Sequence, residues 1–245
     1  MALTELLLIR HGESAGNVAR EEAESGGAEV IDIEWRDADT PLSEHGRDQA
    51  RALGGWLSER PGTIRAVWSS PYTRASDTVS IALDAAELNQ RVQVDERLRD
   101  RELGVLDRLT SIGIRQRFAA ESQRRRTLGK LYYRPPGGES WADVALRLRS
   151  FLHDLEAESA ITGAVLICAH DAVILLFRYI LERMDESTLL ELAATSSVAN
   201  ASVTRLVRPS LDSAWQTADF GAVDHLRRFG VALTHHGAED DVHPR

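Results

Sequence analysis

A three-layer α/β/α sandwich around a mostly parallel central sheet is the fold class this sequence predicts, on three observations. Short apolar runs alternate with stretches of helical periodicity along the chain. Two of those runs, Leu6-Leu7-Leu8-Ile9 and "AVLICA" at residues 164–169, are apolar throughout, as strands covered on both faces are. No repeat and no linker interrupts the pattern, so residues 1–234 read as a single domain. The length of 245 residues suffices for a core of that size.

The elements follow in order. The first strand covers residues 4–9 and is too short to cross a membrane. Residues 19–39 are acidic and contain glycines, and an irregular excursion is expected there. Ser43 then caps a helix carrying Ala50, Leu53, Trp56 and Leu57, which Pro61-Gly62 stops. "IRAVWSS" (residues 64–70) is a second strand broken by Pro71, with a helix over about 72–88. "RVQVDERL" supplies a short third strand. Residues 107–133 form a basic, helix-prone insertion in which Arg124-Arg125-Arg126 reads as a solvated face. "RPPGGES" turns the chain into a helix over about 140–158. Residues 164–170 are the fourth strand, followed by a helix through Ile174, Phe177 and Ile180. "ASVTRLVR" and "AWQTADF" close the sheet as a strand pair, and residues 235–245 are expected to be a disordered tail.

Composition narrows the function classes. A net charge of −9 argues against a general nucleic-acid binder. The single cysteine, Cys168, rules out an internal disulfide and suits a reducing compartment. No apolar stretch reaches membrane-span length and no basic segment precedes the first strand. The expected location is cytoplasmic, with no membrane or nucleic-acid partner.

The chemistry lies at the strand ends. The first strand runs into Arg10-His11, the second into Ser69-Ser70-Pro71-Tyr72-Thr73-Arg74, and the fourth into His170. Ends of parallel strands converge on one edge of a sheet. Two arginines, two histidines and helix N-termini would then share one crevice, which suits an anion and above all phosphate. No carboxylate cluster of the kind hard metals need accompanies them, so neither a metal nor a cofactor is expected.

"LIRHGESAGN", "TPLSEHGRDQA", "SSPYTRASDT", "LRDRELG", "GGES" and "CAHDAVI" occur in that order over most of the chain. This ordered set resembles the histidine phosphatase superfamily, in its phosphoglycerate mutase-like branch, and implies that branch's sandwich fold. "YYRPPGGES" after a basic insertion is most similar to its broad phosphatase-like members. The resemblance implies that His11 is the nucleophile that takes the phosphoryl group as phosphohistidine, its other ring nitrogen bonded to a backbone carbonyl. It implies that Arg10, Arg74 and His170 complete the phosphate pocket. Asn17 matches a polar contact to phosphate or substrate, and Ser14 and Thr40 match positions lining the site. Glu139 and Ser140 match a helix start beside the pocket; read by themselves, Ser140 is a plain N-cap and Glu139 its solvated neighbour.

A leaving alkoxide also needs a proton. The resemblance places the acid four residues before a glycine, which here selects Asp100 before Gly104, where relatives carry Glu. Glu102 is an alternative. Asp171 is another, because relatives in this branch mostly carry His-Gly where this chain has His170-Asp171. The acid-phosphatase branch carries His-Asp there and uses that Asp as donor, but Asp171 reads equally as a helix cap. The implied activity is metal-independent hydrolysis of phosphate monoesters, with a small phosphorylated metabolite as substrate and a phosphoprotein also fitting. Two other functions fit the same residues: a phosphoglycerate mutase-type phosphotransferase and a non-catalytic phospholigand-binding protein.

Overall fold

The structure is a computed structural model that describes residues 3–60, 62–158, 163–210 and 212–235. The chain opens with β1 (Leu3–Arg10), whose side chains alternate between two buried faces: Leu6 and Leu8 on one, Leu7 and Ile9 on the other. α1 (Ala15–Ser25) follows at once. This helix replaces the first part of the irregular excursion expected over 19–39. Its start is fixed by a reciprocal cap: Ser14 Oγ accepts from the Asn17 N–H, and Asn17 Oδ1 accepts from the Ser14 N–H, both at 3.1 Å. An Asn in place of the usual Glu or Gln at the third helical position hid that signal. The rest of the excursion, residues 26–39, is irregular apart from an isolated bridge at Val30 and one 3-10 turn at Asp37–Asp39.

α2 (Glu44–Ser58) begins at the expected Ser43 cap, and β2 (Ile64–Ser69) and α3 (Thr73–Ala85) follow. The third strand is shorter than expected: β3 covers Val92–Val94, and Glu96–Leu98 is a 3-10 turn capped by Asp95. The insertion folds as α4 (Ser111–Arg117) and α5 (Ala119–Tyr132). α6 (Trp141–Ala157), β4 (Gly163–Ala169) and α7 (Asp171–Leu181) match expectation to within a residue or two at each end. α8 (Glu186–Thr195) was not anticipated. β5 (Val203–Val207) and β6 (Gln216–Ala222) are the closing pair, and α9 (Asp224–Arg228) packs Leu226 onto Ala52 of α2. Nearly all of the expected tail, residues 236–245, lies outside the described residues.

Six strands in the order β3-β2-β4-β1-β5-β6 form the sheet among the described residues, and only β5 runs against the others. The chain steps from β1 to β2 to β3 in one direction and returns from β3 to β4. Right-handed crossovers therefore put α2 and α3 on one face and α6 on the other, where α7 packs beside it. The result is the α/β/α sandwich. β1 and β4 are neighbours whose following helices leave toward opposite faces, and a crevice opens at such a switch point. His11 and His170 stand at the ends of these two strands. No helix among the described residues is long and apolar enough to cross a membrane.

The loop after β1 is held by glycine contacts. The close neighbour of Gly12 is Gly46 at the start of α2: a Cβ on Gly12 would stand 2.6 Å from the Gly46 oxygen, and one on Gly46 would stand 2.0 Å from the Glu13 oxygen. Backbone meets backbone there, so no side-chain rotation relieves the overlap. Gly46→Ala is expected to destabilise the protein by on the order of 1–3 kcal/mol and to weaken phosphate binding through the displaced loop. Urea unfolding and phosphate titration check this; wild-type values for both would contradict it.

Candidate active site

The main chain of His11 is fixed on both sides. Its N–H donates to the Ala169 oxygen at 3.0 Å, and its carbonyl accepts from Ala201 N and Asn200 Nδ2, each at 3.1 Å. The ring is then oriented by Nδ1, which lies 2.7 Å from the Gly12 carbonyl oxygen. A carbonyl only accepts, so Nδ1 carries the proton and Nε2 keeps its lone pair. The Gly12 N–H donates to Thr78 Oγ1 at 2.9 Å, and that hydroxyl donates to the Arg74 carbonyl at 2.6 Å. The loop after β1 and the first turn of α3 are thereby tied together.

His170 is fully buried, with its ring centroid 5.2 Å from that of His11 and also 5.2 Å from that of Tyr72. Its Nε2 meets Ser70 Oγ at 2.8 Å, and its Nδ1 lies 3.3 Å from Asp100 Oδ2. Arg74 donates through Nη2 to the same Asp100 oxygen at 3.1 Å. Its Nη1 donates to Asp37, at 2.6 Å to the main-chain oxygen and 2.9 Å to Oδ1. Arg10 completes the group, its guanidinium donating to the Val198 carbonyl. Arg10, His11, Arg74 and His170 are thus brought together, with Asp100 in contact with two of them.

The other expected site residues divide into two groups. Ser14, Asn17, Thr40, Asp100 and Asp171 line the same cleft as Arg10, His11 and Arg74. Asp171 is the first residue of α7 and does not cap it; His170 is the N-cap. Glu102, Glu139 and Ser140 are not among the cleft-lining residues. Glu102 accepts from the Tyr72 hydroxyl at 2.9 Å. Ser140 is the N-cap of α6, with its Oγ accepting from Asp143 N. Glu139 binds Arg99 at 2.6 Å and Arg147 at 3.0 Å, while Arg147 donates to the Asp100 carbonyl at 3.0 Å. Glu139 is therefore a buttress for the segment that carries Asp100.

Several residues in or behind the cleft were invisible in the sequence pattern. Asp37 pairs with Arg74 across 37 positions, and Asn200 reaches His11 across 189. Ile31, Ile33 and Trp35 form an apolar wall, and Arg108 from the insertion pins it by donating to the Ile33 and Trp35 carbonyls at 3.0 and 2.7 Å. An isolated bridge between Val30 and Leu109 adds to that junction. An apolar i, i+2 alternation through Ile31, Ile33 and Trp35 was the one available signal for the wall. Arg124 and Arg126 are exposed and Arg125 is half-buried, and none of the three lines the cleft. Among the described residues no group of three or more His, Cys, Asp or Glu is placed to hold a metal ion.

The electrostatics follow from burial among cations. His11 is pushed well below the usual imidazole range, first by burial and then by Arg74, His170 and Arg10. His170 moves the same way, first by burial and then by Arg74, Arg147 and Arg10. Burial opposes the charge on Arg74, but Asp37 and Asp100 outweigh it and hold that guanidinium above its ordinary value. The Asp37 carboxyl is raised, first by burial and also by Asp100, against the pull of Arg74. An anion pocket with two neutral histidines and permanently charged arginines results.

Comparison with known proteins gives a consistent picture. The sequence profile of the histidine phosphatase superfamily (branch 1) matches residues 6–217. A 2,3-bisphosphoglycerate-dependent phosphoglycerate mutase 2 of Gloeobacter violaceus is 35% identical over 184 residues, which is 74% of this chain and 75% of that one. Among solved structures, a mycobacterial glucosyl-3-phosphoglycerate phosphatase superposes with a TM-score of 0.71 at 28% identity, covering 90% of this chain and 99% of that one. The Bacillus stearothermophilus protein YhfR superposes with a TM-score of 0.71 at 26% identity, covering 92% and 100%.

The neutral histidines have a consequence for stability. Below the usual imidazole pKa the unfolded chain binds protons that the buried rings of His11 and His170 refuse. Stability should therefore fall as pH drops from about 7 to about 5, with each ring adding up to about 1.4 kcal/mol per pH unit to the slope. His11→Asn and His170→Asn should each flatten the curve relative to wild type in urea unfolding across that range. Parallel curves for wild type and both variants would contradict the burial of neutral rings.

Proposed function

The chain belongs to the histidine phosphatase superfamily, and we propose that it is a phosphomonoesterase that works through a phosphohistidine on His11. The observation that carries this reading is the His11 ring itself. Its Nδ1 is committed to the Gly12 carbonyl, which leaves the Nε2 lone pair free on a ring that burial and the charges of Arg74, His170 and Arg10 keep neutral. In the first step Nε2 attacks phosphorus in line and the phosphorus–oxygen bond of the ester breaks. Arg10 and Arg74 balance charge on the non-bridging oxygens. Asp100 delivers its proton to the leaving oxygen, giving the alcohol. In the second step the Asp100 carboxylate takes a proton from water, the resulting oxygen nucleophile attacks phosphorus, and the nitrogen–phosphorus bond breaks. Inorganic phosphate leaves, and His11 and protonated Asp100 are restored.

Asp100 is preferred as donor because it lines the cleft and touches both Arg74 and His170. Glu102 is turned to Tyr72. Asp171 also lines the cleft, so it serves as the comparison in the test below. The substrate is a small phosphorylated metabolite, a reading supported by the substrate in the name of the mycobacterial phosphatase. A cytoplasmic place of action is part of the same proposal. A mutase reading is favoured by one observation, the 35% identity to the Gloeobacter enzyme. A mutase would return the phosphoryl group to an organic acceptor, whereas a phosphatase releases it as inorganic phosphate.

Wild-type protein is expected to release inorganic phosphate from an aryl phosphate with chelator present and without added bisphosphoglycerate. Loss of activity with chelator and its return with a divalent metal would overturn the mechanism, and strict dependence on bisphosphoglycerate would favour the mutase. Asp100→Asn should lose about 10²–10⁴-fold in rate on alkyl phosphates and far less on aryl ones, whose phenolates leave without much protonation. The selective loss appearing in Asp171→Asn instead would move the acid to that residue.

A further inference from the structure

We propose that Arg20 recognises a second anionic group on the substrate, a carboxylate or a further phosphate carried by the part of the molecule that leaves. This rests on the phosphatase reading of the cleft and adds the chemical class of what enters it. Six cationic side chains line the cleft: Arg10, Arg20, Arg74, Arg101, Arg108 and Lys130. Five are engaged. Arg10 donates to the Val198 carbonyl, Arg74 binds Asp37 and Asp100, and Arg101 donates to the Glu139 carbonyl at 2.7 Å. Arg108 pins the apolar wall, and Lys130 lies 4.6 Å from the ring centroid of Trp141. Among the described residues, Arg20 has no hydrogen bond and no ion pair.

Its place in the fold says what it meets. Arg20 lies three residues beyond Asn17 on α1 and so shares its helix face. At the helical rise this sets it about 4.5 Å further along the axis from the Ser14 cap. It is only partly buried, and its charge still reaches Arg10, whose ionisation it helps to depress after burial and Arg74. Arg20 is therefore near the phosphate pocket but one turn outward, where the rest of a bound ester would extend. Ile31, Ile33 and Trp35 flank that space and offer no polar side chain except the indole N–H. Asp37 and Asp107 also line the cleft and repel an anionic leaving group in general. An uncommitted planar fork of donors offsets that repulsion at one position, and its geometry matches carboxylate or phosphate. A neutral leaving group would leave the Arg20 fork unused.

Binding of non-hydrolysable arylphosphonates tests this directly. The meta and para isomers of carboxyphenylphosphonate are titrated against the matched carbamoyl compounds, which keep the shape and remove the charge; bisphosphonate analogues separate a second phosphate from a carboxylate. Wild type should bind at least one charged isomer about tenfold or more tightly than its neutral match. Arg20→Gln should abolish that ratio, Arg20→Lys should keep part of it, and added salt should shrink it. Equal binding of charged and neutral compounds by wild type, or a ratio that survives in Arg20→Gln, would overturn the proposal. The corresponding aryl phosphates separate the two readings. Arg20-dependent binding without hydrolysis of any ester would overturn the phosphatase and leave Arg20 standing, whereas equal hydrolysis of charged and neutral esters would do the reverse.

Discussion

The hydrogen bond from His11 Nδ1 to the carbonyl of the next residue is the constraint on which the site depends. It decides which nitrogen carries the proton, and so which one presents a lone pair to the cleft. The bond is local in sequence, but what keeps it in place is not. The His11 carbonyl is held by Asn200 and Ala201, the Gly12 N–H by Thr78, and the Glu13 N–H by Gln49 at 2.8 Å. Gly12 and Gly46 let the loop lie against the start of α2 without a side chain between them. Four separated parts of the chain thus converge to set one ring torsion, and the switch point between β1 and β4 is the place in this topology where they can.

The second constraint is electrostatic. A chain of net charge −9 must concentrate positive charge to hold a phosphate dianion. It does so with arginines, which stay charged when buried, and it keeps both histidines neutral by burying them among those arginines. Arg74 is paired with Asp37 and also donates to an oxygen of Asp100, the acid of the proposed mechanism. That contact keeps a nearly buried guanidinium paired when no phosphate is present, consistent with the high cost of an unpaired buried charge. It also places Asp100 beside the phosphate pocket, held from behind by Arg147 and Glu139.

The sandwich and the four residues at the strand ends were legible because they depend on local pattern. Apolar strands, a Ser43 cap and the ordered motifs each lie within a few residues of one another. What was not legible depends on distance in sequence. Asp37, Asn200 and Arg108 reach the site through pairings 37 to 189 positions apart, or through carbonyls, which have no sequence signature. Glu139 was expected beside the pocket and instead braces the Asp100 segment, because its carboxylate meets Arg99 and Arg147 first. α1 was missed because its cap uses Asn17 where Glu or Gln is the familiar partner. The sequence offered three carboxylates as proton donor, and only the three-dimensional arrangement separates Glu102, which faces Tyr72, from the two that line the cleft.

Rapid-quench trapping of the protein during turnover of a phosphorus-labelled aryl phosphate tests the central claim most directly. Up to one phosphate per chain should appear on the protein, labile to acid and stable to base, on the peptide that contains His11, and it should form and decay at least as fast as the overall reaction. Turnover with no protein-bound phosphate in the quenched samples, or label on a residue other than His11, would contradict a covalent role for this histidine.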